Sequence, residues 1–163
     1  MKKLSTTHIL YGMLFLALGA LGSAYVAEYF FAIKPCALCY YQRYAYMTMA
    51  LLGAGAFFIP PLKHRLLLIL SLVATTVNGA IAGYQVLVEK GHVEVPSFCK
   101  VEKLMIGDSL EAFKGALMEQ GHVPCNEVAF SFLGLSMAGY NALFCLTIVC
   151  FLLIHYRKNI CGI

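Results

Sequence analysis

The chain has 163 residues, of which 61% are apolar and only 12% charged, with a formal net charge of +4. So little charge cannot cover a water-soluble globule of this size, which excludes that class and points to a membrane as the main solvent. The positive balance does not signal a nucleic-acid surface, because the basic residues fall where the flanks of membrane spans need them.

A bilayer core requires about 20 consecutive apolar residues per helix, and four runs meet that length. The first extends from about Ile9 to Ile33, with Glu28 as its only charge. Its opening, with Lys2-Lys3 and the small residues Ser23 and Ala24, is similar to a secretory signal. The apolar stretch continues well beyond the usual 7–15 residues or so of a signal, so an uncleaved first span is expected.

The second run extends from about Cys39 to Ile59, charged only at Arg43, and "FIPPLKHRL" links it to the third. Pro60 and Pro61 cannot extend a helix, and the basic residues behind them anchor the turn. The third run, about Leu66 to Val88, carries no charge, and the fourth covers about Phe132 to Tyr156. The expected fold is an all-α membrane protein, a four-transmembrane-helix bundle forming one domain over residues 1–163.

Lys2, Lys3, Lys63, Arg65, Arg157 and Lys158 then share one side, the cytoplasm by the positive-inside rule, with both termini inside. The link around Lys34 and a loop from about Glu89 to Ser131 face outward. The loop is net acidic, and its stretch "DSLEAFKGALMEQG" starts at a capping Asp108 or Ser109 and stops at Gly121. Leu110, Phe113 and Leu117 recur at helical spacing, which predicts a short amphipathic helix lying on the membrane or packed on the bundle mouth.

This topology divides the seven cysteines. Cys36, Cys39, Cys99 and Cys125 are outside, where disulfides persist, while Cys145, Cys150 and Cys161 are expected to stay reduced. Cys145 and Cys150 read as small buried apolar residues, and no role is expected for Cys161. Four outer cysteines allow three pairings, and sequence alone does not choose among them. A C-x-x-C pair is the usual form of an exchangeable disulfide, whereas Cys99 and Cys125 bracket a loop that a second disulfide could close. A four-thiolate zinc site normally repeats the close ligand pair, and Cys99 and Cys125 do not form one.

Arg43 lies four residues after Cys39, on the same helix face and about one turn deeper. It can snorkel to head groups, but an ionisable residue inside a span is a functional candidate by default. A guanidinium and a helix N-terminus near Cys39 both favour thiolate. A lipid-dissolved electron acceptor such as a quinone could approach there, with Arg43 hydrogen-bonding its carbonyl oxygen.

"KPCALCYYQR", "PSFC" and "PCNEVAFSFLGLSMAGYNAL" together resemble the DsbB family of disulfide bond formation proteins. Tyr140 stands where that pattern carries tryptophan. The resemblance implies a thiol:quinone oxidoreductase of the bacterial inner membrane, which reoxidises a periplasmic DsbA-like thioredoxin-fold protein and passes electrons to ubiquinone or menaquinone. It also implies roles: Cys99 exchanges with the partner, Cys125 attacks Cys36, Cys39 is released beside the quinone, and Arg43 orients that quinone. His92 is expected to be a solvated loop residue, and Gln85 lies near the mouth of the third span. A vitamin K epoxide reductase type of oxidase places its loop cysteines before the C-x-x-C, the opposite order. The rival from another class is a non-enzymatic tetraspan protein with structural or metal-binding cysteines.

Overall fold

The computed structural model describes residues 5–99, 124–126, 128 and 130–161. The amphipathic helix expected over residues 108–121 lies outside them. Four long helices dominate: α1 (Thr6–Tyr29), α2 (Ala37–Phe58), α3 (His64–Glu89) and α4 (Met137–Cys161). α1 packs on α2, α2 on α3 and α3 on α4.

The boundaries follow local chemistry. α1 ends at Tyr29, and Ala32, with φ of 52°, turns the chain toward Pro35. Pro35 keeps the preceding residue out of the helical region. Cys36 then caps α2, its sulfur accepting the Cys39 backbone N–H at 3.3 Å, as an Asp or Ser oxygen would. Pro60-Pro61 and a 3₁₀ turn (Pro61–Lys63) separate α2 from α3.

At this turn His64 is buried. Its Nε2 lies 3.0 Å from the Ile59 carbonyl and its Nδ1 3.0 Å from the Thr7 hydroxyl. A carbonyl can only accept, so Nε2 carries the proton and Thr7 donates to Nδ1, which ties the ends of three helices together.

The last helix starts later than the apolar run suggests. Strands β1 (Ser131–Phe132) and β2 (Leu135–Ser136) pair antiparallel across a two-residue turn. Leu133 and Gly134 both have positive φ there, 49° and 80°, as a type I′ hairpin requires. Ser136 accepts the Gly139 N–H at 3.1 Å and caps α4, while the Tyr140 hydroxyl donates to the Phe132 carbonyl at 2.9 Å and braces the hairpin.

Burial is inverted relative to a soluble bundle. Phe15, Leu51 and Phe58 are 73%, 74% and 89% exposed, while Ser71, Thr75 and Asn78 are fully buried along one face of α3. Apolar side chains outward and polar ones inward is the arrangement a bilayer favours. α1, α3 and α4 are long and apolar enough to cross a membrane, so this is a multi-pass membrane protein. α2 does not reach that hydropathy because its first half carries Gln42, Arg43 and four tyrosines.

α1 and α2 cross closely at Gly53. A Cβ there would sit 2.8 Å from Leu14 Cβ and 2.9 Å from the Leu10 carbonyl oxygen. Small residues permit such backbone approach between membrane helices. Gly53→Ala is expected to push the two helices apart and cost about 1–3 kcal/mol. A lowered midpoint of thermal unfolding in detergent would show this, and an unchanged midpoint would mean that the crossing relaxes freely.

Candidate active site at the cysteine end of the bundle

The C-x-x-C pair straddles the first turn of α2. Cys36 is the N-cap and Cys39 lies one turn on, with their sulfurs 2.7 Å apart and unbonded. A small side-chain rotation closes such a pair to the roughly 2.05 Å of a disulfide. The Cys36 thiol is held above the ordinary cysteine range, first by its hydrogen bond to the Cys39 sulfur and then by burial.

Cys99 and Cys125 form a disulfide with Cα atoms 5.5 Å apart. Cys99 ends a 3₁₀ turn (Ser97–Cys99), its N–H bonded to the Pro96 carbonyl at 2.9 Å. Both halves of this disulfide are buried in one cluster with Cys36, Leu38 and Val88, and Cys39 packs against it. All four cysteines picked out from the sequence thus meet at one end of the bundle.

Arg43 is buried, with one edge lining a cleft. It donates to the Glu28 carboxylate and to the Ala24 carbonyl, at 3.4 Å for the latter. Its guanidinium carbon lies 5.0 Å from the ring centroid of Tyr25 and 5.3 Å from that of Tyr40, within cation–π range. Glu28 belongs to α1, and its pairing with Arg43 was not read from the sequence. The available signal was that each is the single charge of its own apolar run, which leaves each in need of a counter-charge.

In a second polar set only Gln85 was marked in the sequence, by its place near the mouth of the third span, and its partners were not. Gln85 of α3 reaches both sulfurs of the pair, with its Nε2 3.5 Å from Cys36 and 3.6 Å from Cys39. Gln42 and Asn141 connect it to α4. Amides scattered in otherwise apolar runs were the only sequence signal. His92 is exposed, as expected of a loop residue.

The other cysteines divide. Cys145 is buried beside Asn78 and Tyr46, but Cys150 is exposed on the outside of α4, contrary to the expectation that both pack inside. Five residues on a helix turn the side chain by about 140°, so the two cannot share one face.

Among the described residues α1 and α4 share no extensive contact, and a cleft of about 780 Å³ lies between them. Its walls are largely apolar, including Phe15, Leu16 and Phe144, and polar groups gather where Cys39, Arg43 and Asn141 line it. A mostly apolar cavity of this size with a few convergent polar groups suits a small-molecule ligand.

A multi-pass helical protein with an exchangeable thiol pair packed against a disulfide defines a membrane thiol–disulfide protein. The chain matches the family described as Disulfide bond formation protein DsbB over residues 6–155, and it belongs to that family. It is 31% identical over 145 residues to a Disulfide bond formation protein B of Marinobacter nauticus, covering 85% of this chain and 85% of that protein. It is 28% identical over 147 residues to a protein of the same name from Aromatoleum aromaticum, covering 89% and 88%. An uncharacterized Rickettsia prowazekii protein, RP370, is 33% identical over 143 residues, covering 86% and 83%. No solved structure matches the chain.

Proposed function

We propose that this protein is a disulfide-generating thiol:quinone oxidoreductase of the bacterial inner membrane. It would reoxidise a DsbA-like thioredoxin-fold protein in the periplasm, with all four helices spanning and both termini in the cytoplasm. The reading is carried by one observation: the Cys99–Cys125 disulfide is buried against Cys36, while Cys39, the other half of the C-x-x-C pair, lines an apolar cleft beside Arg43. α2, at 22 residues, is long enough at about 33 Å to cross with the other three.

In this scheme a thiolate of the partner attacks Cys99, forms a mixed disulfide and releases Cys125 as thiolate. Cys125 attacks Cys36 of the closed Cys36–Cys39 disulfide, which breaks that bond, forms a Cys36–Cys125 bond and releases Cys39 as thiolate. The partner's second thiolate then resolves the mixed disulfide, so the partner leaves oxidised and Cys99 is freed. Cys99 attacks Cys125, restoring the loop disulfide and releasing Cys36. Two electrons and two protons have come from the partner and now rest on the Cys36–Cys39 dithiol.

The dithiol needs a two-electron, two-proton sink, which is what a membrane quinone, ubiquinone or menaquinone, supplies when bound. The cleft fits such a group in size, in its apolar walls and in the hydrogen-bond donors at its polar end. Arg43 would hold a carbonyl oxygen with the N–H groups left over from Glu28 and Ala24. A metal-binding reading is less favoured, because Cys99 and Cys125 are bonded to each other and leave only two thiols at this end.

The test is an absorbance titration of detergent-solubilised protein with bound ubiquinone, adding a reduced thioredoxin-fold oxidase and following quinone loss. Stoichiometric quinone reduction is expected. No reduction with any such partner would return the four cysteines to a structural role.

A further inference from the structure

One chain of polar groups, buried except for the half-buried Asn141, runs from the middle of the bundle to the sulfur pair. The Tyr46 hydroxyl donates to Asn141 Oδ1, and Asn141 Nδ2 donates to Gln42 Oε1 at 2.7 Å. Gln42 Nε2 donates to Gln85 Oε1 at 2.8 Å, and both glutamines are buried, 8% and 5% exposed. Each carbonyl in the series accepts from the residue before it, so the chain has a direction.

That direction fixes the end group. With Oε1 engaged by Gln42, Gln85 must present its NH₂ to the opposite side. There Glu89 Oε1 lies at 3.2 Å and the sulfurs of Cys36 and Cys39 at 3.5 and 3.6 Å. Two N–H bonds serve these partners: one goes to the carboxylate and the other is shared between the sulfurs. Rotating the amide by half a turn would set its NH₂ against the Gln42 NH₂ and its oxygen against a carboxylate. As a thiol, Cys39 can also donate to Gln85 Oε1, at 4.0 Å.

We propose that Gln85 is a catalytic hydrogen-bond donor to the Cys36–Cys39 pair, with Gln42, Asn141 and Tyr46 as positioning residues that hold its amide in the donating orientation. This deepens the reading given above and rests on the pair opening and closing. A donor stabilises a thiolate sulfur more than a neutral disulfide sulfur, and more so in a buried site. Gln85 therefore favours the opened pair and sets how readily Cys36–Cys39 accepts electrons from the loop disulfide. Among the described residues the charged groups around the pair are Arg43 from α2, Glu28 from α1 through Arg43, Glu89 from α3 and Lys34 from the link; the variants below leave all of them in place.

The experiment is a thiol–disulfide titration of the full-length protein in detergent against glutathione buffers. The redox state of Cys36 and Cys39 is read by mass-tag alkylation and peptide mass. Gln85→Met keeps the length of the side chain and removes the donor. It is expected to move the equilibrium about tenfold toward the disulfide, about 30 mV for a two-electron couple. Gln42→Met keeps the Gln85 donor and removes the group that orients it, and a smaller shift in the same direction, about threefold, is expected. Gln42→Met decides alone if Gln85→Met does not fold. A parental midpoint in either folded variant, or a shift toward the dithiol, overturns the proposal. The titration uses neither partner nor quinone, so its outcome is independent of whether the protein turns over with them.

Discussion

Cys39→Ser is expected to limit the protein to a single equivalent of partner oxidation and to lower steady turnover at least about a thousandfold. The loop disulfide is intact in this variant, so a partner thiolate can still attack Cys99, and the partner can leave oxidised once. Cys99 and Cys125 are then a dithiol with nothing to reoxidise them, because Cys36 has lost the sulfur 2.7 Å away with which it closes. A serine oxygen can neither form that bond nor leave as thiolate does. Rapid quenching with an alkylating agent, counting oxidised partner per protein, should give a burst of one and then a plateau. Cys150→Ser is the control, since Cys150 is exposed on α4 away from the cluster, and it should turn over at the parental rate. Repeated turnover by Cys39→Ser would place the electron exit somewhere other than the C-x-x-C pair.

The contrast between those two cysteines shows what one-dimensional patterns convey. The helices α1, α3 and α4 were legible as spans because a bilayer demands length and apolarity, properties that add up along a contiguous segment. The C-x-x-C pair was legible for the same reason: its geometry is set within one helical turn by Pro35 and the Cys36 cap. The start of α4 was not, since a two-residue hairpin made of apolar residues looks like the beginning of a span until Leu133 and Gly134 reverse the chain. Which of Cys145 and Cys150 faces inward depends on the rotation of α4 about its axis, and its near-uniform apolar composition hides that rotation.

The polar part of the site was hidden for a different reason. Gln42 and Gln85 are 43 positions apart, Gln42 and Asn141 99 apart, and no local spacing rule joins them. Their shared property is being polar where the surrounding run is not, which marks them as candidates without naming partners. Arg43 is expected from the sequence to hold a ligand, and in the fold it has protein partners of its own in Glu28, Ala24, Tyr25 and Tyr40. Its contribution to folding must therefore be separated from its contribution to chemistry.

A double-mutant cycle makes that separation. Arg43→Leu leaves the Glu28 carboxylate facing apolar surroundings without its counter-ion, and a loss of about 3 kcal/mol is expected. Glu28→Leu leaves a guanidinium that still has the Ala24 carbonyl and the faces of Tyr25 and Tyr40, so its loss should be smaller. Replacing both by leucine removes the unpaired charge in either direction, and stability should return to within about 1 kcal/mol of the parent, as buried ion pairs exchanged for apolar pairs commonly do. Turnover should not follow. If Arg43 supplies hydrogen bonds to a reacting oxygen, the double variant stays about a hundredfold slow, the usual effect of removing such a donor, despite its recovered fold. Unfolding in detergent and quinone reduction, measured on the same four proteins, give the two cycles side by side. A double variant that regains both stability and turnover would show that Arg43 serves the α1–α2 contact alone, and the electron exit would then depend on the sulfur pair and its amide neighbours.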